Sequence, residues 1–366
     1  TSAVPGSNPG MPTRQSILFE RCFYISRYTS AVPGSNPGTP TIMHSHLTED
    51  IQKSERLKNL LEQHGFLKNE LGIAVIDLKQ SKHKIFGYNM DHFMYPASVY
   101  KIFIGAEMLR QVEIGNFNLD QKIVVKSPND VDKDSKLFPG DPRGLLQAED
   151  LVTIDYLLDL MLTRSDNSAS NCLIDLVTRE SITENIIHKY GWDGSEVTRK
   201  FLDRIKEDKK YRYSETTKIC ARHAAEFMYM VEQGTMVSNF VSSKLKDYMT
   251  RWNREGRQGL TISEYLFIYR KGGYLENDLY QNVYKGFYHK SGFGFDYVAG
   301  IFHLLKTIIT KGWAFICWSN DVAVVTGENT HYIISVFTLT KSINPRKRFP
   351  MKELAKVIHQ FMEENK

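Results

Sequence analysis

Apolar residues recur at helical spacing at Ile51, Leu57, Leu60 and Leu61, up to Gly65. The spacing predicts a helix there, with Thr48 as N-cap and Glu49 and Asp50 in its first turn. Leu71–Asp77 and Lys84–Tyr88 read as two strands of a hairpin, joined by the polar turn Lys79–Lys82. A helix follows over about Ser98–Val112. From about 150 to 255 the period is helical, at Leu151–Leu162, Ala169–Val177 and Cys220–Glu232, ending near Gly234. Aromatic and β-branched segments return at Gly286–Lys290, Asp321–Thr326 and His331–Thr338, and a last helix is predicted over Met351–Glu364, after Pro350. Strands at both ends with helices between them predict an α+β fold. The terminal thirds, about 43–115 and 256–366, would build one antiparallel sheet flanked by helices, and about 116–255 an all-helical lobe. The cleft between the lobes is the natural place for a site.

The first forty residues do not share this patterning. TSAVPGSNPG at Thr1–Gly10 recurs letter for letter at Thr29–Gly38, and Pro, Gly, Ser and Asn cannot bury a core. The apolar stretch between the copies, Ile17–Ile25, is interrupted by Glu20, Arg21 and Cys22, which makes it a poor signal-peptide core. Residues 1–42 are therefore read as a disordered or non-native leader, and 43–366 as the folded domain. A chain beginning at Met43 is expected to keep the full chain's melting temperature; a drop of many degrees would show that the leader docks on the domain.

Composition narrows the classes further. The 366 residues carry 47 Lys+Arg against 42 Asp+Glu, and a formal charge of +5 is too diffuse to indicate nucleic acid. The four cysteines, Cys22, Cys172, Cys220 and Cys317, lie far apart, so neither a zinc knuckle nor a disulfide scaffold is indicated. The most apolar window, Val298–Trp318, is interrupted by His303, Lys306 and Lys311 and reads as buried strand or helix, not a membrane span.

Three motifs could carry chemistry. In Pro96-Ala97-Ser98-Val99-Tyr100-Lys101, a spacing of three puts the Ser98 hydroxyl and the Lys101 amine on one helix face, one turn apart. A neutral amine there can take the hydroxyl proton, and the free N–H groups of a helix N-terminus can stabilise an oxyanion. Ser81 with Lys84 and Ser243 with Lys246 share the spacing, and Ser98 could be a simple cap. Ser165-Asp166-Asn167 occurs once, between two predicted helices. Its hydroxyl can relay a proton and its amide can bond both a carbonyl and a lysine, while Asp166 suits a turn; a plain capping turn is the alternative. Lys290-Ser291-Gly292 ends an aromatic strand, where an amine and a hydroxyl project together toward an anion and glycine lets a ligand approach the backbone. Its plainer reading is a surface lysine at a strand end.

A Ser-x-x-Lys at a helix start, a Ser-Asp-Asn between helices and a Lys-Ser-Gly on a late strand, in this order, are the set that marks the penicilloyl serine transferases. Residues 48–366 closely resemble the class A β-lactamase-like serine hydrolases, including Asp166-Asn167-Ser168-Ala169-Ser170-Asn171, Val197-Thr198-Arg199 and Glu215-Thr216-Thr217. The resemblance implies that Ser98 is the nucleophile and Lys101 its proton acceptor, and that Ser165 passes the proton to the leaving nitrogen. It implies that Asn167 contacts the substrate side-chain amide and Lys101, that Lys290, Ser291 and Gly292 form the site of the substrate carboxylate, and that the N–H groups of Ser98 and Phe293 form the oxyanion hole. It implies a small-molecule partner, a β-lactam or a D-Ala-D-Ala-like peptide, a monomer, no cofactor and no metal. A periplasmic or secreted location is expected from the family, although no convincing signal peptide is visible.

The sequence also departs from the resemblance. Class A enzymes release the acyl group through a glutamate in a Glu-x-x-Leu-Asn loop motif, and that motif is absent. Glu207 is the nearest candidate, and a solvated loop carboxylate is the other reading of it. Phe295–Asn320 looks like an insertion between two strands. The departures leave open a β-lactamase, a D,D-peptidase or transpeptidase, and a sensor that is acylated without turnover.

Overall fold

The computed structural model describes residues 47–134, 143–198, 200–202, 206–211, 216–254, 284–297, 308–327, 330–344, 347 and 349–364. In chain order they form β1 (Thr48–Glu49), α1 (Ile51–Gln63), β2 (Glu70–Asp77), β3 (Lys84–Tyr88), α2 (Lys101–Glu113), β4 (Lys122–Val124) and β5 (Leu151–Thr153). Then come α3 (Ile154–Thr163), α4 (Asn167–Val177), the short α5 (Arg179–Ile182), α6 (Ala221–Glu232) and α7 (Asn239–Arg254). β6 (Tyr284–Tyr297), β7 (Phe315–Gly327), β8 (His331–Ser342) and α8 (Met351–Glu364) complete the chain.

The fold is α+β, around a six-stranded sheet in the order β1-β3-β2-β8-β7-β6. β1 runs parallel to β3, and every other pairing in that sheet is antiparallel. β2 joins the two chain ends, pairing with β3 on one side and with β8 on the other, from Glu70 opposite Leu339 to Asp77 opposite Tyr332. Side chains alternate across a strand, and the alternation sorts the core. Leu71, Ile73 and Val75 of β2, with Tyr332, Ile334 and Val336 of β8, face Leu57 and Leu61 of α1 and Leu354 and Ile358 of α8. Ala74, Ile76, Ile333 and Phe337 face the opposite way, toward the core built from α2, α3, α4, α6 and α7. β2 therefore reads as a nearly continuous apolar run, because both sheet faces are covered.

Element boundaries differ from the sequence reading where local hydrogen bonds compete with period. Asp50, not Thr48, caps α1: its carboxylate accepts from Lys53 N at 3.0 Å, while Thr48 and Glu49 pair with Lys84 and Ile85 as a strand. Leu151–Thr153 is drawn into a small sheet with β4, so α3 starts at Ile154, with the Thr153 hydroxyl accepting from Tyr156 N at 3.2 Å. Both ends of Phe295–Asn320, read as an insertion, belong to strands, and 298–307 between them lies outside the described residues. The β6–β7 ladder runs on through Phe295 opposite Cys317 and Tyr297 opposite Phe315. Polar residues hid this strand: Ser319 N donates to Thr338 Oγ1 at 3.1 Å, and Thr338 N donates to Asn320 Oδ1 at 2.9 Å. The first half of the Val298–Trp318 window, 298–307, lies outside the described residues, and its last part begins β7. Among the described residues no helix is long and apolar enough to cross a membrane.

Candidate active site

The chain enters α2 through a 3₁₀ turn, Ala97–Tyr100, which replaces the first turn of the expected helix. Ala97 has φ 48, in the left-handed region that residues with a Cβ seldom adopt, so the turn is held by its surroundings. Asn320 Nδ2 of β7 donates to Tyr95 O at 2.9 Å, and the Tyr95 and Trp318 rings meet edge to face at 5.2 Å. Ala97, Val99 and Tyr100 are buried, whereas Ser98 is only half-buried. Among the described residues the Ser98 side chain makes no hydrogen bond, so its hydroxyl is uncommitted.

Lys101, the first residue of α2, is 0% exposed. Its amine donates to Ser165 O at 2.6 Å, to Asn167 Oδ1 at 2.8 Å and to Ser165 Oγ at 3.3 Å. Ser165 presents both oxygens because its φ is 63, a left-handed conformation in the turn between α3 and α4. Asp166 holds that turn. Its Oδ1 accepts from Ala169 N at 2.8 Å as the cap of α4, and its Oδ2 pairs with Arg164 at 2.9 Å. The capping reading of Ser-Asp-Asn and the chemical one are thus compatible, since different residues of the motif do the two things.

Lys290 reaches the same hydroxyl from β6, its Nζ donating to Ser165 Oγ at 2.9 Å. Ser165 therefore links two buried amines. Burial pushes the Lys101 amine well below an ordinary lysine, helped by the neighbouring Lys290 charge and opposed by Asp132 and Asp166. Burial also brings Lys290 down to about 7, with Asp321 opposing. An amine so placed can be neutral near neutral pH and able to accept a proton.

Two contacts were not legible in the sequence. Asp132, in a polar loop that reads as an ordinary turn, accepts from Asn167 N at 2.7 Å and from Asn167 Nδ2 at 3.2 Å. That leaves one N–H of the Asn167 amide for another acceptor. Phe201 lies over the Lys101 amine, 4.5 Å from ring centre to Nζ. An aromatic residue in a loop carries no signal of this role.

Glu207 is not a solvated carboxylate. It is buried, paired with Arg179, and accepts from Lys200 N at 2.9 Å. Among the described residues no hydrogen bond or ion pair joins it to Ser98 or Lys101. Gly292 and Phe293 lie on the backbone of β6, opposite Asn320 and Ser319. Among the described residues β6 has one sheet neighbour, β7. The Ser291 side chain lies outside the described residues, as do Arg199 and Glu215.

Over residues 52–362 the chain matches the beta-lactamase enzyme family. It belongs to that family. No curated protein matches the chain. Among solved structures, the TLA-1 extended-spectrum β-lactamase shares 19% identity and a TM-score of 0.59, covering 85% of this chain and 99% of its own. A β-lactamase from Sphaerobacter thermophilus shares 17% and 0.56, over 85% and 98%. PBP-A shares 17% and 0.56, over 87% and 98%. At such identities the likeness is one of fold. Family membership places the chain in the β-lactam-related serine hydrolase and penicillin-binding superfamily, of the class A type, which implies a small-molecule substrate.

Proposed function

We propose that the protein opens β-lactam amides through an acyl-enzyme at Ser98 and releases the acyl group slowly. The observation that carries this reading is the shared Ser165 hydroxyl, within hydrogen-bond reach of two buried amines, one of which, Lys101, stands three residues along the chain from the uncommitted Ser98. Lys101 takes the Ser98 proton as Oγ attacks the carbonyl carbon. The C–N bond then breaks, and the leaving nitrogen receives a proton through Ser165. Lys290, with Ser291 and Gly292, receives the substrate carboxylate. Asn167 holds Lys101 and offers its remaining N–H to the substrate, and the N–H groups of Ser98 and Phe293 stabilise the oxyanion. No cofactor is called for in these steps.

Release requires a water, whose oxygen joins the acyl carbon while the ester C–O bond breaks and a proton returns to Ser98. The engagement of Glu207 with Arg179 favours the second reading, a penicillin-binding D,D-peptidase, transpeptidase or sensor in which the adduct persists. Steady-state hydrolysis of a chromogenic cephalosporin, with the adduct followed by intact mass, separates the readings. Slow turnover, with an adduct that builds up and then decays, supports a β-lactamase, and a stoichiometric adduct that does not decay supports the second reading. Absence of both overturns the proposal.

Lys290 gives a separate test. Lys290→Ala should weaken carboxylate-bearing β-lactams roughly 10- to 100-fold and neutral esters much less, since only the former lose a charge-assisted contact of about 1.5 to 3 kcal/mol. An amine near pKa 7 is charged below that pH and neutral above it. Affinity for the carboxylate should accordingly be flat below neutrality and fall by roughly tenfold per pH unit above it. Equal losses for acid and ester, or no pH dependence, would count against the role.

A further inference from the structure

Phe201 belongs to no motif, yet three independent contacts fix it beside the candidate base. Asn171, fully buried in α4, clamps its backbone: Phe201 N donates to Asn171 Oδ1 at 2.9 Å, and Asn171 Nδ2 donates to Phe201 O at 3.4 Å. Its ring stacks on Tyr100 at 5.7 Å with 24° between planes. The same ring covers Lys101 Nζ at 4.5 Å. The neighbouring Lys200 is pinned as well, its side chain to Asp175 and to Asn129 Oδ1.

We propose that Phe201 is a positioning residue for Lys101, whose ring shuts water out from the amine and keeps it aimed at Ser165 and Asn167, in the state that accepts a proton. The importance of that state rests on the acylation chemistry proposed above. A ring face attracts an ammonium, so the two effects of Phe201 oppose each other. Stripping water from an ammonium costs more than one ring returns, and dehydration therefore prevails. Among the described residues, Lys290 from β6, Asp132 from the loop after β4 and Asp166 at the start of α4 act on the amine's charge, and Tyr100 precedes it in the turn before α2. Tyr100 in turn stands near Arg179 and Glu207. Phe201 adds no charge to this set, and it is the water it excludes that matters.

The test is the titration of Lys101, followed by NMR of ε-¹³C-lysine in the full chain and assigned by the resonance missing from Lys101→Arg. In Phe201→Ala the resonance should titrate at higher pH than in the wild type, and acylation by penicillin at neutral pH should slow by about tenfold. Phe201→Leu, which restores apolar cover, should return both to near the wild-type values. An unmoved titration in a Phe201→Ala protein that melts as the wild type does overturns the inference. If Phe201→Ala does not fold, Phe201→Leu is compared with Phe201→Gln, and identical titration of those two overturns it equally. The two levels fail separately. A shifted Lys101 in a protein that penicillin never acylates supports the role of Phe201 and sinks the β-lactam reading, whereas normal acylation with an unmoved Lys101 sinks the role alone.

Discussion

Ser98→Ala is expected to take up no covalent adduct from a penicillin, and Lys101→Ala to acylate about 10²- to 10⁴-fold more slowly than the wild type. The two losses differ in kind. Removing the Ser98 hydroxyl removes the bond-forming atom, and Ser165 Oγ, held between two lysines, is not placed to act in its stead. Removing the Lys101 amine leaves the nucleophile without the base three residues along the chain, and it also frees Ser165 O and Asn167 Oδ1 of their shared donor. Peptide mapping of the adduct, with stopped-flow acylation rates, checks both. Equal labelling of wild type and Ser98→Ala would place the nucleophile elsewhere.

Glu207→Ala is expected to cost about 3 to 5 kcal/mol of stability, the usual loss when one partner of a buried ion pair is removed. Glu207 holds the loop to Arg179 at the start of α5 and receives Lys200 N, so its carboxylate joins parts of the chain far apart in sequence. Chemical denaturation of the variant measures the loss. The same experiment speaks to the base role. A catalytic glutamate replaced by glutamine, as in Glu207→Gln, traps the adduct while leaving stability and acylation alone. A pinning glutamate gives a less stable protein whose adduct lifetime is little changed. Trapping at an unchanged midpoint would therefore restore Glu207 as the deacylating base.

The sequence showed those parts of the fold whose residues act locally. The period in Met351–Glu364 belongs to a helix with one buried and one exposed side, and the aromatic and β-branched run His331–Thr338 to a strand buried on both faces. It showed least where a distant partner decides. Ser319 and Asn320 do not look like strand residues, and they are, because Thr338 on β8 receives and returns their hydrogen bonds. The same holds in the site. Ser98, Lys101, Ser165, Asn167 and Lys290 stood out because each needs a particular functional group within a short motif. Asp132 and Phe201 did not, since a carboxylate in a polar loop and a ring in another loop acquire meaning only when folding brings them to Asn167 and Lys101.

The place of β2 between β3 and β8 has a consequence for biosynthesis. A nascent chain that has emerged only as far as α7 carries Ser98, Lys101, Ser165 and Asn167 but lacks β8, the neighbour against which the whole length of β2 is paired. One edge of β2 then stays unpaired, and its face toward α1 lacks the cover of α8, while some ninety further residues are made, and sheets closed by distant partners form slowly. The ribosome-bound chain thus passes through a long interval in which it depends on holding chaperones, and truncation after α7 should yield an insoluble product with no reactive serine.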